Sequence, residues 1–442
     1  MTRSVPIFAV VRNAMARFGR DETGAIGIYS MFTFLAMSCV CAVALDVTHV
    51  YSARTQMQVA ADFAAHAALY NRETMSADDA KQTAVDLVAT SMPDTIYGSL
   101  FTSDDIGFGT YDYESSTFNP DPDAIEAVQV VLERHEDNAN PIASFLSQLL
   151  GIDAWSVRVT ATYTTFNPMC FREGFVADGV VDIQSNNAFT NGFCIHSNEY
   201  VSLNSNNTFE PGTVVSMPNL NDLDLPQSGF KTNDGLQASL RSGAYRMRVL
   251  NRIDTLITGV QTFGSSLMPN YITSATVVNL SGRSFTQSQF ISGHIHRLTC
   301  SGGKLTIANG SVLRRVVVVT NCEVKFGSGT VLEDVVFVTT NTGANSFNSP
   351  SGLRLGRNDS CAVGGGAQLV TRGGVNIASG LQMYGGQILA LGTVEFAANA
   401  NGLEGASIVA GGEISGTSNM DMGFCGGGME DNFESNYFRL AL

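Results

Sequence analysis

The sequence is short of charge. Only 15% of its 442 residues are Asp, Glu, Lys or Arg, against about 25% in ordinary soluble domains. Basic side chains are the scarcer kind: 25 Lys and Arg face 40 Asp and Glu, for a net charge of −15 and a pI near 4.8. The summed field repels polyanions, which excludes nucleic acid as an expected partner. There is no CxxC pair for a zinc site, no phosphate-binding glycine loop, no HExxH and no nucleophile elbow. No cofactor is implied, and no catalytic or metal-ligating set is assigned. Against these absences stand a 44% hydrophobic share and 44 glycines.

Part of the apolar content lies near the start. From Ala25 to Leu45 the chain carries no charge, and at about 1.5 Å per residue it covers roughly 31 Å, enough for a bilayer core of about 30 Å. Arg3, Arg12, Arg17 and Arg20 precede this run, and the first basic residue after it is Arg54. The positive-inside bias places residues 1–24 in the cytoplasm and everything after Asp46 outside. A cleaved secretory signal is the competing reading, but its apolar core would be shorter, about 7–15 residues. No proline or glycine interrupts Asp46 to Glu73, and Val50, Met57, Ala61, Ala64 and Ala68 fall on one helical stripe. One helix is expected from the membrane span to about residue 73. A second is expected from Ser76 to Met92, capped by Ser76.

The run Arg20-Asp21-Glu22-Thr23-Gly24-Ala25-Ile26, followed by Leu45-Asp46, Tyr51, Arg54, Gln58 and Ala60-Ala61-Asp62-Phe63-Ala64-Ala65, resembles the amino-terminal module of the TadG-like proteins of bacterial tight-adherence (Tad, or Flp) pilus assembly systems. Gly24, Asp46, Tyr51, Arg54, Gln58 and Asp62 are the motif residues. A weaker likeness runs through Ala127–Leu132, Pro141–Leu150 and Val157–Thr162 to the strand–helix–strand unit of TadG- and TadE-like proteins. The resemblance implies an inner-membrane protein with the bilayer and pilus assembly membrane proteins as partners. Prepilin cleavage after Gly24 would want glutamate at the fifth position beyond it, where Tyr29 stands, so the anchor is read as uncut. The DxSxS loop of larger relatives is absent.

Residues 71–170 hold sixteen acidic and four basic side chains, a balance of −12. Period-two alternation at Val128, Val130 and Leu132, and again from Trp155 to Tyr163, predicts two strands. Ile142, Phe145, Leu146, Leu149 and Leu150 predict a short helix opened by Pro141 between them. A small acidic α+β domain is expected over 74–168.

Beyond Cys170 the sequence repeats. Val181, Ile183, Asn186, Asn187 and Phe189 return as Val201, Leu203, Asn206, Asn207 and Phe209, a shift of twenty. Leu305, Ile307, Gly310, Leu313 and Val316–Val319 return as Val324, Phe326, Gly329, Leu332 and Val335–Val338, a shift of nineteen. Val375, Ile377 and Ile388 return as Val394, Phe396 and Ile408. Rungs of this length, built of short strands and Gly or Asn corners, predict an all-β parallel β-helix over 169–442, with the commoner right hand. Stacking the repeats sets Arg314 and Arg315 on Glu333 and Asp334 as inter-rung ion pairs. A stripe of Met247, Leu250, Ile253, Ile257 and Val260 predicts a helical excursion at about 236–264 that covers an open edge.

Six cysteines follow the anchor: Cys170, Cys194, Cys300, Cys322, Cys361 and Cys425. An even set beyond the membrane suits disulfides in an oxidising compartment, and nearest-neighbour pairing costs the least chain reorganisation. His294 and His296 could hold a metal but have no third ligand in the sequence, and Asp222 and Asp224 could bind calcium but lack the Gly-rich nonapeptide pattern of calcium β-rolls. The expected function is a non-enzymatic periplasmic scaffold or minor pilin-like component anchored in the inner membrane. The alternative is a β-helix that binds or degrades envelope polysaccharide, for which basic and acidic groups would cluster across neighbouring rungs.

Overall fold

The computed structural model describes residues 23–441, so the basic segment expected in the cytoplasm lies outside the described residues. The chain forms two compact units, one reaching to Phe166 and including Phe438–Leu442, the other Asn167–Tyr437.

The first unit is built on one helix of 50 residues, Thr23–Arg72. From Ile26 to Leu45 it carries no charge and is exposed at all but Thr33, Ala42 and Val43. Its second half buries Met57, Ala60, Ala61, Ala64, Ala65, Ala68 and Leu69, and the small alanines let the helix backbone lie close to what it covers. That stripe packs with Ala80, Ala84 and Val88 of the helix Ala77–Ser91 and with Val128, Val130, Leu132, Val159 and Ala161. Ser76 caps the second helix by accepting the Asp79 amide. The sheet is antiparallel between Thr117–Pro120, Ile106–Asp112, Ala127–Arg134 and Val157–Phe166, with Val130 opposite Ile106 and Ala161. A final strand, Tyr437–Leu440, joins its edge beside Val157–Phe166. Residues 438–441 therefore leave the β-helix assigned to them and extend this sheet, with Phe438 packed against its core and the Ala441 amide donating to the Thr162 carbonyl.

The segment after Pro141 also departs from expectation. Ile142–Ala143 pairs with Ala154–Trp155 as a short strand, and only Ser147–Leu150 makes a helical turn, of the 3-10 type. The amides of Phe145, Leu146 and Ser147 are drawn to a carboxylate elsewhere in the unit, so the turn starts late.

The second unit is a parallel β-solenoid, and its pairings fall on the sequence repeats. Val201 pairs with Val181 and Phe209 with Phe189; Leu305 pairs with Val324 and Val316 with Val335; Val375 pairs with Val394 and Ile388 with Ile408. Inside, Phe189 and Phe209 stack with ring centroids 4.7 Å apart. The corners repeat as well. Asn186 and Asn206 both take positive φ (62° and 64°), as do Gly310 and Gly329 (66° and 71°), a conformation open to glycine and tolerated by asparagine. Buried Asn187, Asn207 and Asn233 form a ladder in which the side-chain oxygen of Asn207 accepts the Asn187 amide and that of Asn233 accepts the Asn207 amide.

The rungs do not stack in chain order. Strand Gly174–Ala177 lies between Cys194–Ser197 and Ser407–Ala410, with Ala177 paired to Ala410. The first rung is thus sandwiched between the second and the last, and the coil is entered and left at an interior rung. From the rung ending near Ser242 the chain crosses to the far end and resumes at Val277. The crossing contains two short helices, Arg248–Asn251 and Ile253–Gly259, broken at Arg252. It covers a face of the coil, where an edge was expected. Leu250, Ile253, Leu256 and Ile257 pack on the outward side chains Val176, Val317, Val336, Val338, Val370 and Val409. The reason is in the runs Val316–Val319 and Val335–Val338, apolar at every position, which mark a parallel sheet buried on both faces.

Candidate membrane and assembly interface

The long helix carries one segment long and apolar enough to cross a membrane by length and composition. Ile26, Tyr29, Phe32, Phe34, Met37 and Val40 are all exposed along it. Gly24 lies in its first turn. At the end of the uncharged run, Asp46 is buried, and its carboxylate accepts the amides of Phe145 (2.8 Å), Leu146 (3.2 Å) and Ser147 (2.6 Å). Hydrogen bonds from Ser147 and its neighbours outweigh desolvation and hold the Asp46 carboxyl below the usual carboxylate range. Gln58 donates to Asp62 (3.0 Å) and to the carbonyl of Thr160 (3.2 Å), fastening the helix to the sheet. Tyr51 and Arg54 are exposed. Of the six motif positions, then, Asp46, Gln58 and Asp62 join in knitting the helix to its unit, while Tyr51 and Arg54 face outward. Beside them a shallow apolar groove of about 480 Å³ runs between the two helices, lined by Val59, Phe63, Leu87, Met92 and Tyr97.

In the solenoid the cysteines pair as Cys170–Cys194, Cys300–Cys322 and Cys361–Cys425. Cys39 and Cys41 are free and exposed on the apolar half of the long helix. Glu404 approaches Cys361 and Cys425 closely enough to complete a metal triad; because the two sulfurs are bonded to each other, no thiolate is left for an ion. Buried Glu173 accepts the amides of Cys425 and Gly426, and burial pushes its carboxyl upward.

Arg314 meets Glu333 at 2.6 Å, and Arg354 reaches the other carboxylate oxygen at 2.5 Å. Burial works against the Glu333 charge, but the bonds and charges of the two arginines hold its carboxyl below the ordinary value. Arg315 and Asp334 make no such pair. Both sit at a corner with φ 53°, and Asp334 instead accepts the Gly365 amide. Superposing the sequence repeats placed Arg314 correctly on Glu333, but did not show that Asp334 accepts a backbone amide rather than meeting Arg315.

The two histidines also diverge. His296 is buried inside the coil, where its Nε2 accepts the Ile291 amide at 2.9 Å, and burial pushes its pKa down to about 4. His294 lies outside the strand with Nδ1 on the Ser292 carbonyl. The pair is not arranged to share an ion. Asp222 belongs to a 3-10 turn, whereas Asp224 accepts from Ser202 Oγ at 3.0 Å.

That last bond belongs to an outward column the sequence did not reveal. Lys325, Asn348, Asn376, Glu395, Ser415, Asp182, Ser202 and Asp224 succeed one another across neighbouring rungs. Carboxylates alternate with serines at one end, and no basic residue stands in the column from Glu395 to Asp224. Asp182 is pushed up by burial, opposed by the Ser202 hydroxyl. This face is polar and open, unlike the apolar face beneath the crossing helices.

Residues 174–426, the solenoid, match a family model described as "Domain of unknown function (DUF7867)". Residues 24–80, the long helix and the start of the next, match one described as "Putative Flp pilus-assembly TadE/G-like". No curated protein and no solved structure matches the chain. The solenoid match spans more than half of the sequence, so the chain belongs to the DUF7867 family and carries a TadE/G-like Flp pilus-assembly domain at its amino end.

Proposed function

We propose that the chain is a non-enzymatic, single-pass protein of the bacterial inner membrane that serves Tad/Flp pilus assembly. Its amino terminus is cytoplasmic and its solenoid periplasmic, as a rigid scaffold or a minor pilin-like component. The observation that carries this reading is the TadE/G-like match on a helix whose first half is bare and apolar and whose second half is built into an α+β core. The arginines before residue 21 support the orientation, and three disulfides suit an oxidising compartment. The test is a pull-down of the tagged full-length protein from solubilised membranes. Recovery of pilus assembly membrane proteins is expected, and their absence counts decisively against the proposal.

The polysaccharide reading is favoured by the carboxylates of the outward column. It is weakened by the lack of a lysine or arginine among them from Glu395 to Asp224. Incubation with acidic envelope polysaccharide should release no new reducing or unsaturated ends. Such release would reverse the preference.

A further inference from the structure

One stretch of the amino-terminal unit does not fit its surroundings. Residues 138–152 contain no charge, inside a region whose balance is −12. Their large apolar side chains are nonetheless bare: Leu149 is 85% exposed, Phe145 67%, Leu150 47% and Leu146 40%. Nor is the stretch loosely held. Asp46 accepts three successive amides from it, the His49 ring stands edge-on to Phe145 at 4.7 Å, and the turn Ser147–Leu150 packs on the long helix.

The attachment point fixes the level. Asp46 is the first charged residue after the uncharged run, and its neighbours Leu45 and Val47 are themselves exposed. At about 1.5 Å per residue, a group held against Asp46 lies within about one helical turn of the end of the span. We propose that the loop Phe145–Ile152 is a second membrane contact, in which Phe145, Leu149 and Leu150 dip into the outer interface of the bilayer that the helix crosses. Asp46 acts as the positioning residue. This rests on the reading of residues 25–45 as a membrane span. Irregular backbone is costly near lipid when its amides lack partners, and Asp46 supplies partners for those of Phe145, Leu146 and Ser147. The occupant is lipid because the apolar patch continues the bare surface of the helix itself, with no charged residue in the loop to interrupt it.

The test places one tryptophan at a time in the full-length chain, on a Trp155→Phe background. The protein is reconstituted in phosphatidylethanolamine and phosphatidylglycerol vesicles doped with acyl-brominated lipid. Leu149→Trp reports the loop and Met37→Trp reports the span. Both should lose emission to the brominated lipid and resist aqueous iodide. If Met37→Trp is quenched by bromine but Leu149→Trp only by iodide, the loop proposal falls and the anchor stands. If Met37→Trp also escapes bromine, both fall together. A Leu149→Trp protected from both quenchers would mean a protein covers the loop, which overturns the lipid assignment. Adding Asp46→Asn should relieve the quenching at position 149 and leave that at position 37; equal quenching with and without it would overturn the role given to Asp46.

Discussion

The outer face of the solenoid's valine-rich strands and the first half of the long helix are both apolar along their length. The chain covers the first with its own helices and leaves the second bare. Val317, Val336 and Val338 would present a contiguous patch of the kind that drives association in water, and residues 248–259 are spent on hiding it. Among the described residues, nothing comparable is folded over Ile26 to Val40. A chain that closes one such surface and not the other marks the second for a different solvent, which is how the helix earns its reading as a membrane span.

The sharpest way to break this contrast is to put a charge on each surface. Val336→Asp buries a carboxylate with no partner, and should destabilise the solenoid by more than about 4 kcal/mol, read as a collapse of the thermal midpoint in detergent. Phe34→Asp should leave that midpoint unchanged while weakening membrane insertion by about 3 kcal/mol, read as protein released by alkaline extraction. Equal effects on the midpoint would mean the helix is buried in protein.

The cysteines sharpen the same contrast at a smaller scale. Replacing Cys300 and Cys322 together by serine should cost about 2–4 kcal/mol, since the bridge closes a loop of 22 residues within the coil. Replacing Cys39 and Cys41, free on the bare helix, should not move the midpoint.

How much of this was legible differs between levels. The register of neighbouring rungs could be read directly, because the same side chains recur at a fixed shift and each pairs with its counterpart. The order of the rungs could not, since an apolar strand pairs as well with one neighbour as with another. A signal was nevertheless present: Ser418-Asn419 with Met422 repeats the pattern of Ser185-Asn186 with Phe189, and Asn419 shares their left-handed corner at φ 64°. It marks the rung on which the first one rests. The motif residue Asp46 was likewise visible while its task was hidden, because its partners lie about a hundred positions away. The crossing helices were found by their stripe, and their place over a face followed only from the unbroken valine runs.

Inside the coil, acid offers a subtler probe of what is covered. His296 is buried neutral, with Nε2 accepting an amide and His294 nearby adding repulsion once charged. Its folded pKa, about 4, lies below the ordinary 6.5, so the unfolded chain takes up the proton first. Its contribution to stability is therefore complete above about 6.5 and is lost as pH falls toward about 4. Melting temperature measured against pH should drop through that window, and His296→Gln should flatten the drop. An unaltered slope would mean that His296 is reached by water and belongs with the open surfaces.

The smallest effect is expected on the polar side of the coil. Lys304 and Glu323 pair at 2.8 Å, with the lysine 73% exposed. In water such a pair gains little, because solvent screens the attraction and two flexible side chains must be held still. Lys304→Ala should shift stability by less than about 1 kcal/mol. Glu333, nearly buried between Arg314 and Arg354, is the useful control: Glu333→Gln leaves two guanidinium groups facing each other with no carboxylate between them, and should cost visibly more in the same melt. If the exposed pair proved equal to the buried one, the open face would be contributing to the fold rather than merely being solvated.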